Sequence, residues 1–278
     1  MADDAKAKQT VKDSVFTDLF GDSKYLLQLY QSLHPEDTAV EESDLKAVSL
    51  ENIFTDDIYN DLGFIKGDKL MVLVEAQSTW TVNIIIRALE YLVNSYRRYI
   101  SDNNIDLYKS KKAELPRPEL YVIFTGSRKT RPEEITLSEE FFGGEKVAIE
   151  VTVKMIYDGK EGDIINQYVT FTKILDEQVK LYGRTKKAVQ ETIRICKNDN
   201  ILKEYLESRE SEVVDIMMQL YDREEIMRVH DIGVAIRASV EMCQDLGMTF
   251  LDTVGKIAAK FALSQERAEK EVKEYWSE

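Results

Sequence analysis

The stretch that decides the fold runs from residue 60 to residue 77 and reads NDLGFIKGDKLMVLVEAQ. Two strand-like runs, residues 58–65 and 69–77, flank the turn signal Gly67-Asp68. The second run is apolar from Leu70 to Val74, directly before Glu75, which is typical of a central strand covered on both faces. Side chains two positions apart on a strand share a face, so Glu75 and Gln77 point the same way. A carboxylate at the end of a buried strand needs a partner such as a metal ion.

The register of the predicted hairpin decides whether Asp61 joins Glu75. With a two-residue turn at Gly67-Asp68, Asp61 lies opposite Val74 and on the other face of the sheet from Glu75. With a three-residue loop, or with a one-residue bulge, Asp61 lies directly opposite Glu75. The sequence alone leaves both registers open. In the second register the two carboxylates repel each other unless a cation lies between them.

Two carboxylates and a strand carbonyl are a ligand set that suits Mg²⁺ or Mn²⁺. We therefore interpret Asp61, Glu75 and the carbonyl of Ala76 as candidate metal ligands. Such an ion activates a bound water and stabilises charge on a phosphoryl group, and Gln77 is placed to orient that water through its amide. Spacing alone favours a structural alternative, in which Asp61 caps the hairpin end and Glu75 hydrogen-bonds a neighbouring helix.

The rest of the chain predicts an α/β (α+β) protein with a mixed central sheet flanked by helices. Apolar residues recur at spacings of three and four over residues 81–100, which predicts an amphipathic helix directly after the acidic strand. The other predicted elements are a helix over residues 11–33 broken near Gly21-Asp22, a strand near 45–54, strands at 119–125 and 147–157, and helices from residue 164 almost to the end. We divide the chain into a core domain, residues 1–185, and a helical C-terminal region, residues 186–278.

Composition predicts a soluble intracellular protein. Hydrophobic residues make up 44% of the 278 residues and charged residues 32%, and no apolar run is long enough to cross a bilayer. Only two cysteines occur, Cys196 and Cys243, without metal-ligand spacing, which fits a reducing compartment. We expect a cytoplasmic protein that does not associate with membranes.

The charges are distributed unevenly along the chain. The formal net charge is −14, but residues 84–131 hold 10 Lys/Arg against 5 Asp/Glu, directly after residues 1–75, which hold 7 against 16. This order suits an acidic metal pocket beside a basic surface that contacts phosphates. Four side chains of the helix at 81–100 are candidates for that contact: Arg87, Tyr91, Arg97 and Arg98. For Arg87 and Tyr91 the alternative is a structural ion pair and packing at the sheet edge.

Several stretches of the chain resemble the PD-(D/E)xK nuclease superfamily, in particular its recombination-promoting (Rpn-type), transposase-like branch. They are DSVF at residues 13–16, NDLGF at 60–64, VEAQSTW at 74–80, LPRPE at 115–119 and LKEYL at 202–206, with Asn83, Arg87 and Tyr91 on the helix after the motif. The resemblance implies a restriction-endonuclease-like core and Mg²⁺-dependent cleavage of DNA phosphodiesters. It also implies that Asp61 and Glu75 hold the metal and that Gln77 replaces the lysine of the superfamily.

We therefore expect a Mg²⁺-dependent (or Mn²⁺-dependent) DNA endonuclease with catalytic residues Asp61, Glu75 and Gln77. A second class of function remains open, in which a catalytically weak or inactive protein of this fold binds DNA or another protein. Gln77 and the negative net charge favour that alternative. The C-terminal segment 249–276 predicts a helical hairpin whose mixed charges favour packing or self-association over DNA reading, so a homo-oligomer is a further possibility.

Overall fold

The computed structural model describes residues 15–48, 61–67 and 70–276, without the side chains of residues 47, 48, 61 and 223–230. Its described strands form one six-stranded mixed sheet in the order β1-β2-β3-β4-β6-β5. They are β1 (Leu45–Val48), β2 (Asp61–Lys66), β3 (Leu70–Gln77), β4 (Arg117–Phe124), β5 (Glu134–Thr136) and β6 (Thr152–Ile156). The chain is thus an α/β protein, and the predicted fold class is confirmed.

Helices precede the sheet, alternate with its strands and make up the C-terminal part of the chain. They are α1 (residues 15–21), α2 (Ser23–Leu33), α3 (Ile84–Asp102), α4 (Leu137–Phe142), α5 (Ile164–Tyr182), α6 (Lys186–Asn198), α7 (Lys203–Ser208), α8 (Glu210–Asp245), α9 (Phe250–Phe261) and α10 (Gln265–Tyr275). None of the helices within the described residues combines the length and apolarity that crossing a membrane requires.

The chain divides into two compact units, with Leu220 as the last residue of the first and Tyr221 as the first of the second. The first unit contains the sheet. The second has a small core of its own, made by Ile236, Val240, Val254, Ile257, Ala268 and Val272. The predicted domain division between residues 185 and 186 stays a prediction.

Strand β3 is buried along its whole length because both faces of the sheet are covered. On one face, Met71 and Leu73 pack with Ile84 and Ile85 of α3 and with apolar side chains of β4 and β6. The other face carries Val72 and Val74, and an aromatic cluster joins α1 to α5 through Phe16, Phe20 and Tyr168. Strand β3 is apolar because it is one of the two central strands of a sheet that is covered on both faces.

The β2–β3 hairpin adopts the register that corresponds to the three-residue loop. Lys66 pairs with Leu70, and Asp61 therefore pairs with Glu75 along an antiparallel ladder. Gly67, the first residue of that loop, has a φ of 54°, a backbone conformation that favours glycine. Position 61 and Glu75 are thus directly opposite each other, and opposite positions of an antiparallel pair belong to the same face of the sheet.

Most predicted elements lie within three residues of the observed ones, apart from β1 and β6. Strand β6 begins five residues later than predicted, and β5 and α4 were not predicted at all. Strand β1 ends at Val48 among the described residues, so the predicted continuation to residue 54 lies outside them. The predicted start of the next strand at residue 58 and the start of the first helix before residue 15 also lie outside the described residues. Helix α1 and helix α2 meet at Asp22, where the sequence predicted a break.

Candidate metal and phosphate site

The candidate site lies at the carboxyl end of β3, on the face that α3 covers. Glu75 and Gln77 are 7% and 1% exposed. Strand β4 runs parallel to β3 and places Val122 and Phe124 beside these two residues, so apolar side chains surround the polar pair. In open α/β sheets, ligands bind at the carboxyl ends of the strands. The polar pair therefore lies where a ligand site is expected.

Arg87 joins the polar pair from the first turn of α3. Its Nη2 forms an ion pair with Oε1 of Glu75 and donates a hydrogen bond of 3.0 Å to Oε1 of Gln77. The side chain of Arg87 is about three-quarters buried. The structural alternative considered for Arg87, an ion pair with a carboxylate, is therefore present, and the carboxylate is the candidate metal ligand itself.

The amide of Gln77 is engaged at both ends. Its oxygen accepts from Arg87, and its nitrogen donates to the carbonyl of Thr79 just beyond the strand. The backbone carbonyl of Gln77 also accepts from the N–H of Thr125, 2.8 Å away, at the end of β4. Gln77 therefore fixes Arg87 and the chain that follows β3, which places its amide in a positioning role.

The second oxygen of Glu75 gives the test of whether these residues fit a metal ion. Glu75 Oε2 is buried, and it accepts no hydrogen bond from the residues that the structure describes. A buried carboxylate oxygen without a donor suits a hard cation such as Mg²⁺ or Mn²⁺. The hairpin register sets Asp61 opposite Glu75, although the side chain of Asp61 is outside the described part of the chain.

The remaining metal-ligand prediction concerns the carbonyl of Ala76. Ala76 is buried between Glu75 and Gln77 in β3, and its role as a ligand stays a prediction. Among the described side chains, no three His, Cys, Asp or Glu residues form a group that could hold a metal ion. The fit therefore depends on Glu75 together with Asp61, and the residues present are compatible with the ion.

Two loops meet beside the site, and the sequence analysis did not find this contact. A Cβ atom added at Gly126, just after β4, would lie 2.0 Å from the carbonyl oxygen of Ser78, just after β3, so only glycine allows the approach. The guanidinium of Arg128 stacks 3.3 Å from the ring centre of Trp80, and Trp80 packs edge-on against Phe124. Arg128 is therefore held on the protein surface by an aromatic ring.

The other predicted substrate-binding residues lie further along α3. Tyr91 is half-buried and packs against the core beneath the helix. Arg97 is exposed, and Arg98 lies 3.9 Å from Asp102 one turn later. At a rise of about 1.5 Å per residue, Arg97 and Arg98 are about 15 Å along the helix from Arg87. The structure thus brings Arg87 to Glu75 and Gln77, whereas Arg97 and Arg98 are on a separate part of the helix.

A second buried polar cluster lies on the opposite face of the sheet. Nε2 of His34 is 3.1 Å from Oε2 of Glu119, a distance that allows an ion pair although the atoms are not aligned for a hydrogen bond. The same carboxylate accepts from Arg117 and from the hydroxyl of Tyr121. Burial, followed by that hydrogen bond, raises the pKa of the Tyr121 hydroxyl well above its usual range. Glu119 thus joins Arg117, Tyr121 and His34 on the face of the sheet opposite the candidate site.

Fold and site together define an α/β protein with a buried Glu-Gln pair, bound by an arginine, at the carboxyl end of its central parallel strands. A comparison of the chain with protein-family models, with curated proteins and with solved structures finds no significant match. The resemblance to the Rpn-type nucleases therefore rests on the sequence stretches quoted above.

Proposed function

We propose that this chain is a divalent-metal-dependent endonuclease that hydrolyses phosphodiester bonds in DNA with Mg²⁺ or Mn²⁺. The observation that carries the proposal is the pairing of Asp61 with Glu75 in the β2–β3 ladder, next to a Glu75 oxygen that is buried without a partner among the described residues. Two acids at one point of a covered sheet are unfavourable unless a cation compensates their charge. The resemblance to the Rpn-type nucleases supplies the substrate class.

The proposed reaction is hydrolysis and needs no redox partner. The oxygen of a water molecule forms a bond to phosphorus, one ester P–O bond breaks, and the leaving oxygen takes up a proton. When bound, Mg²⁺ would activate the water and neutralise charge on the phosphoryl group. Glu75 Oε2 and Asp61 would hold the ion, while Gln77 keeps Arg87 and the chain after β3 in place.

A second candidate function is binding without cleavage, either of DNA or of a protein. The observation that favours it concerns Gln77, whose amide is engaged at both ends. Gln77 is neutral, so β3 has no cationic side chain near the two acids. The formal net charge of −14 also opposes the binding of a polyanion away from the basic stretch.

Plasmid nicking tests the proposal. Supercoiled DNA is incubated with the full chain and Mg²⁺ or Mn²⁺ at neutral pH, and the nicked form is quantified. We expect Glu75→Gln to lower the nicking rate at least about 100-fold, because losing even a group behind a metal ligand costs about 10–100-fold. Binding to DNA should persist in Glu75→Gln, since the substitution removes a negative charge.

Glu119→Gln is the matched control, because the side chain of Glu119, like that of Glu75, is 9% exposed on a strand but lies on the opposite face. It should leave nicking within a few-fold of the original rate. If the unaltered chain binds DNA but does not nick it with either ion, the binding function replaces the endonuclease. If it neither binds nor nicks DNA, both candidate functions fail for this substrate.

A further inference from the structure

Arg87 is the side chain whose surroundings the proposed hydrolysis does not yet explain. One nitrogen of its guanidinium, Nη2, contacts both Glu75 and Gln77. Another, Nε, is buried and donates no hydrogen bond to the residues that the structure describes. Arg87 is therefore a cation that contacts Glu75 and Gln77, and its Nε is a donor without a partner among the described residues.

The charges of the site explain why a cation is needed there. Asp61 and Glu75 together carry two negative charges when ionised, and hydrolysis would bring in a phosphate diester with a third. Gln77 is neutral, so β3 supplies no positive charge beside Glu75. Among the described residues, Arg87 is the cation that an ion pair joins to Glu75. Its planar fork matches the geometry of both carboxylate and phosphate.

The two oxygens of Glu75 would contact two different cations, the guanidinium of Arg87 and the divalent ion. Arg87 holds Oε1, and Oε2 is left for a divalent ion. Positive charges on neighbouring atoms of one carboxylate repel each other, and partial burial weakens the screening by water. Arg87 and a divalent ion should therefore oppose each other at Glu75, although each of them favours the ionised carboxylate.

We propose that Arg87 is the positioning cation of this site and competes with the divalent ion for Glu75. This inference rests on the proposed function. Without the ion, Arg87 neutralises the charge of Glu75 through their ion pair. With the ion and a phosphate diester present, the guanidinium of Arg87 has the phosphate as an alternative anionic partner. An interaction of Arg87 with the substrate then compensates the weaker ion pair between Arg87 and Glu75.

Mn²⁺ binding to the full chain, measured by calorimetry in the absence of DNA, tests the competition directly. We expect Arg87→Gln to bind Mn²⁺ at least about ten-fold more tightly, since a factor of ten is only about 1.4 kcal/mol and a unit charge a few ångströms away contributes more. The same variant should lose most of its nicking activity. Tighter ion binding with slower cleavage is a combination that a purely structural ion pair does not produce.

Two further variants separate the role of the charge from the role of the fold. Gln77→Lys combined with Arg87→Gln moves the cation from α3 to β3, and we expect it to return Mn²⁺ affinity towards the original value and to restore nicking in part. Arg209→Gln is the matched control: it breaks another partly buried arginine–carboxylate pair, with Asp18, that has no contact with Glu75. Circular dichroism is used to check whether each variant is folded.

The outcomes distinguish this inference from the proposed function. If Arg87→Gln leaves Mn²⁺ affinity unchanged or lowers it, or if neither form binds Mn²⁺, the competition is refuted. If Arg87→Gln does not fold, the double variant decides, because a Mn²⁺ affinity far from the original value would refute the role of the moved charge. If Arg87→Gln binds Mn²⁺ more tightly but the unaltered chain never nicks DNA, the inference holds and the endonuclease fails.

Discussion

Glu75 is a buried carboxylate of which only one oxygen has a partner among the described residues. Its Oε1 is neutralised by Arg87, but Oε2 is buried without a donor among the described residues. A buried polar group left without a hydrogen bond costs about 1–3 kcal/mol. The unfavourable burial is understandable if a ligand completes the carboxylate.

Gly126 gives a prediction at the same scale. An alanine Cβ there would meet the carbonyl oxygen of Ser78 at 2.0 Å and the ring of Phe124 at 2.7 Å, so the loops after β3 and β4 would have to separate. We expect Gly126→Ala to lower the free energy of unfolding by at least about 2 kcal/mol, in the range of overpacked cores. Nicking should fall as well, because the displaced loop contains Thr79, whose carbonyl accepts a hydrogen bond from the amide of Gln77. Urea unfolding and the plasmid assay measure the two effects.

Gly21→Ala is the control for Gly126→Ala. Gly21 is exposed, nothing lies within 4 Å of an added Cβ, and its φ is not in the positive region. The substitution in this helical segment should be neutral or stabilising by up to about 1 kcal/mol. Equal stability changes at the two glycines would contradict the close approach of the loops.

At the scale of single residues, the sequence indicated Glu75, Gln77 and Arg87 but not their mutual contacts. The apolar run ending at Glu75 indicated a buried carboxylate, and Arg87 was one of the candidate phosphate contacts on the predicted helix at 81–100. The ion pair between them depends on how α3 returns across the sheet after residues 78–83, which no local spacing encodes. The contact of Gly126 with Ser78 joins two loops that are 48 positions apart, so local sequence patterns do not predict this contact either.

At the scale of elements, the hairpin shows where sequence patterns stop being informative. Register is normally fixed when one face of a strand is apolar and the other polar. Strand β3 is buried on both faces, so a shift by one residue leaves an equally apolar pattern, and both registers were compatible with the sequence. Elements β5 and α4 were missed because three and six residues give too few repeats to define a period.

The start of α5 supports a prediction about one element. Asp163 caps this helix: its side chain accepts from the N–H groups of Asn166 at 2.7 Å and Lys160 at 2.9 Å. Helix α5 carries the buried Tyr168 and Phe171, so its end is coupled to the core. We expect Asp163→Ala to lower the free energy of unfolding by about 1 kcal/mol, the usual value for a lost N-cap.

Glu161→Ala is the control for Asp163→Ala. It also removes one negative charge, but from an exposed residue two positions earlier in the chain. Its effect on urea unfolding should stay within about 0.5 kcal/mol, as for most surface substitutions. If both variants lose equal stability, the effect is one of net charge, and the cap contributes nothing measurable.

At the scale of the whole molecule, the charge distribution decides how a polyanion could bind. The formal net charge of −14 repels DNA at long range, whereas residues 84–131 carry the local excess of Lys and Arg. We expect Arg97→Glu combined with Arg98→Glu to weaken DNA binding at least about ten-fold near physiological salt. Phosphate contacts release counterions, so the slope of log affinity against log salt should also become shallower by about one to two.

The control for this prediction is a charge reversal at two other residues of the first unit. Lys186→Glu combined with Lys187→Glu changes the net charge by the same amount on the exposed start of α6. If DNA recognises the basic stretch of α3, this pair should leave the salt slope unchanged and weaken binding only slightly through the long-range field. If the two double variants weaken binding equally, DNA responds to the net charge alone, and Arg97 and Arg98 are not contact residues.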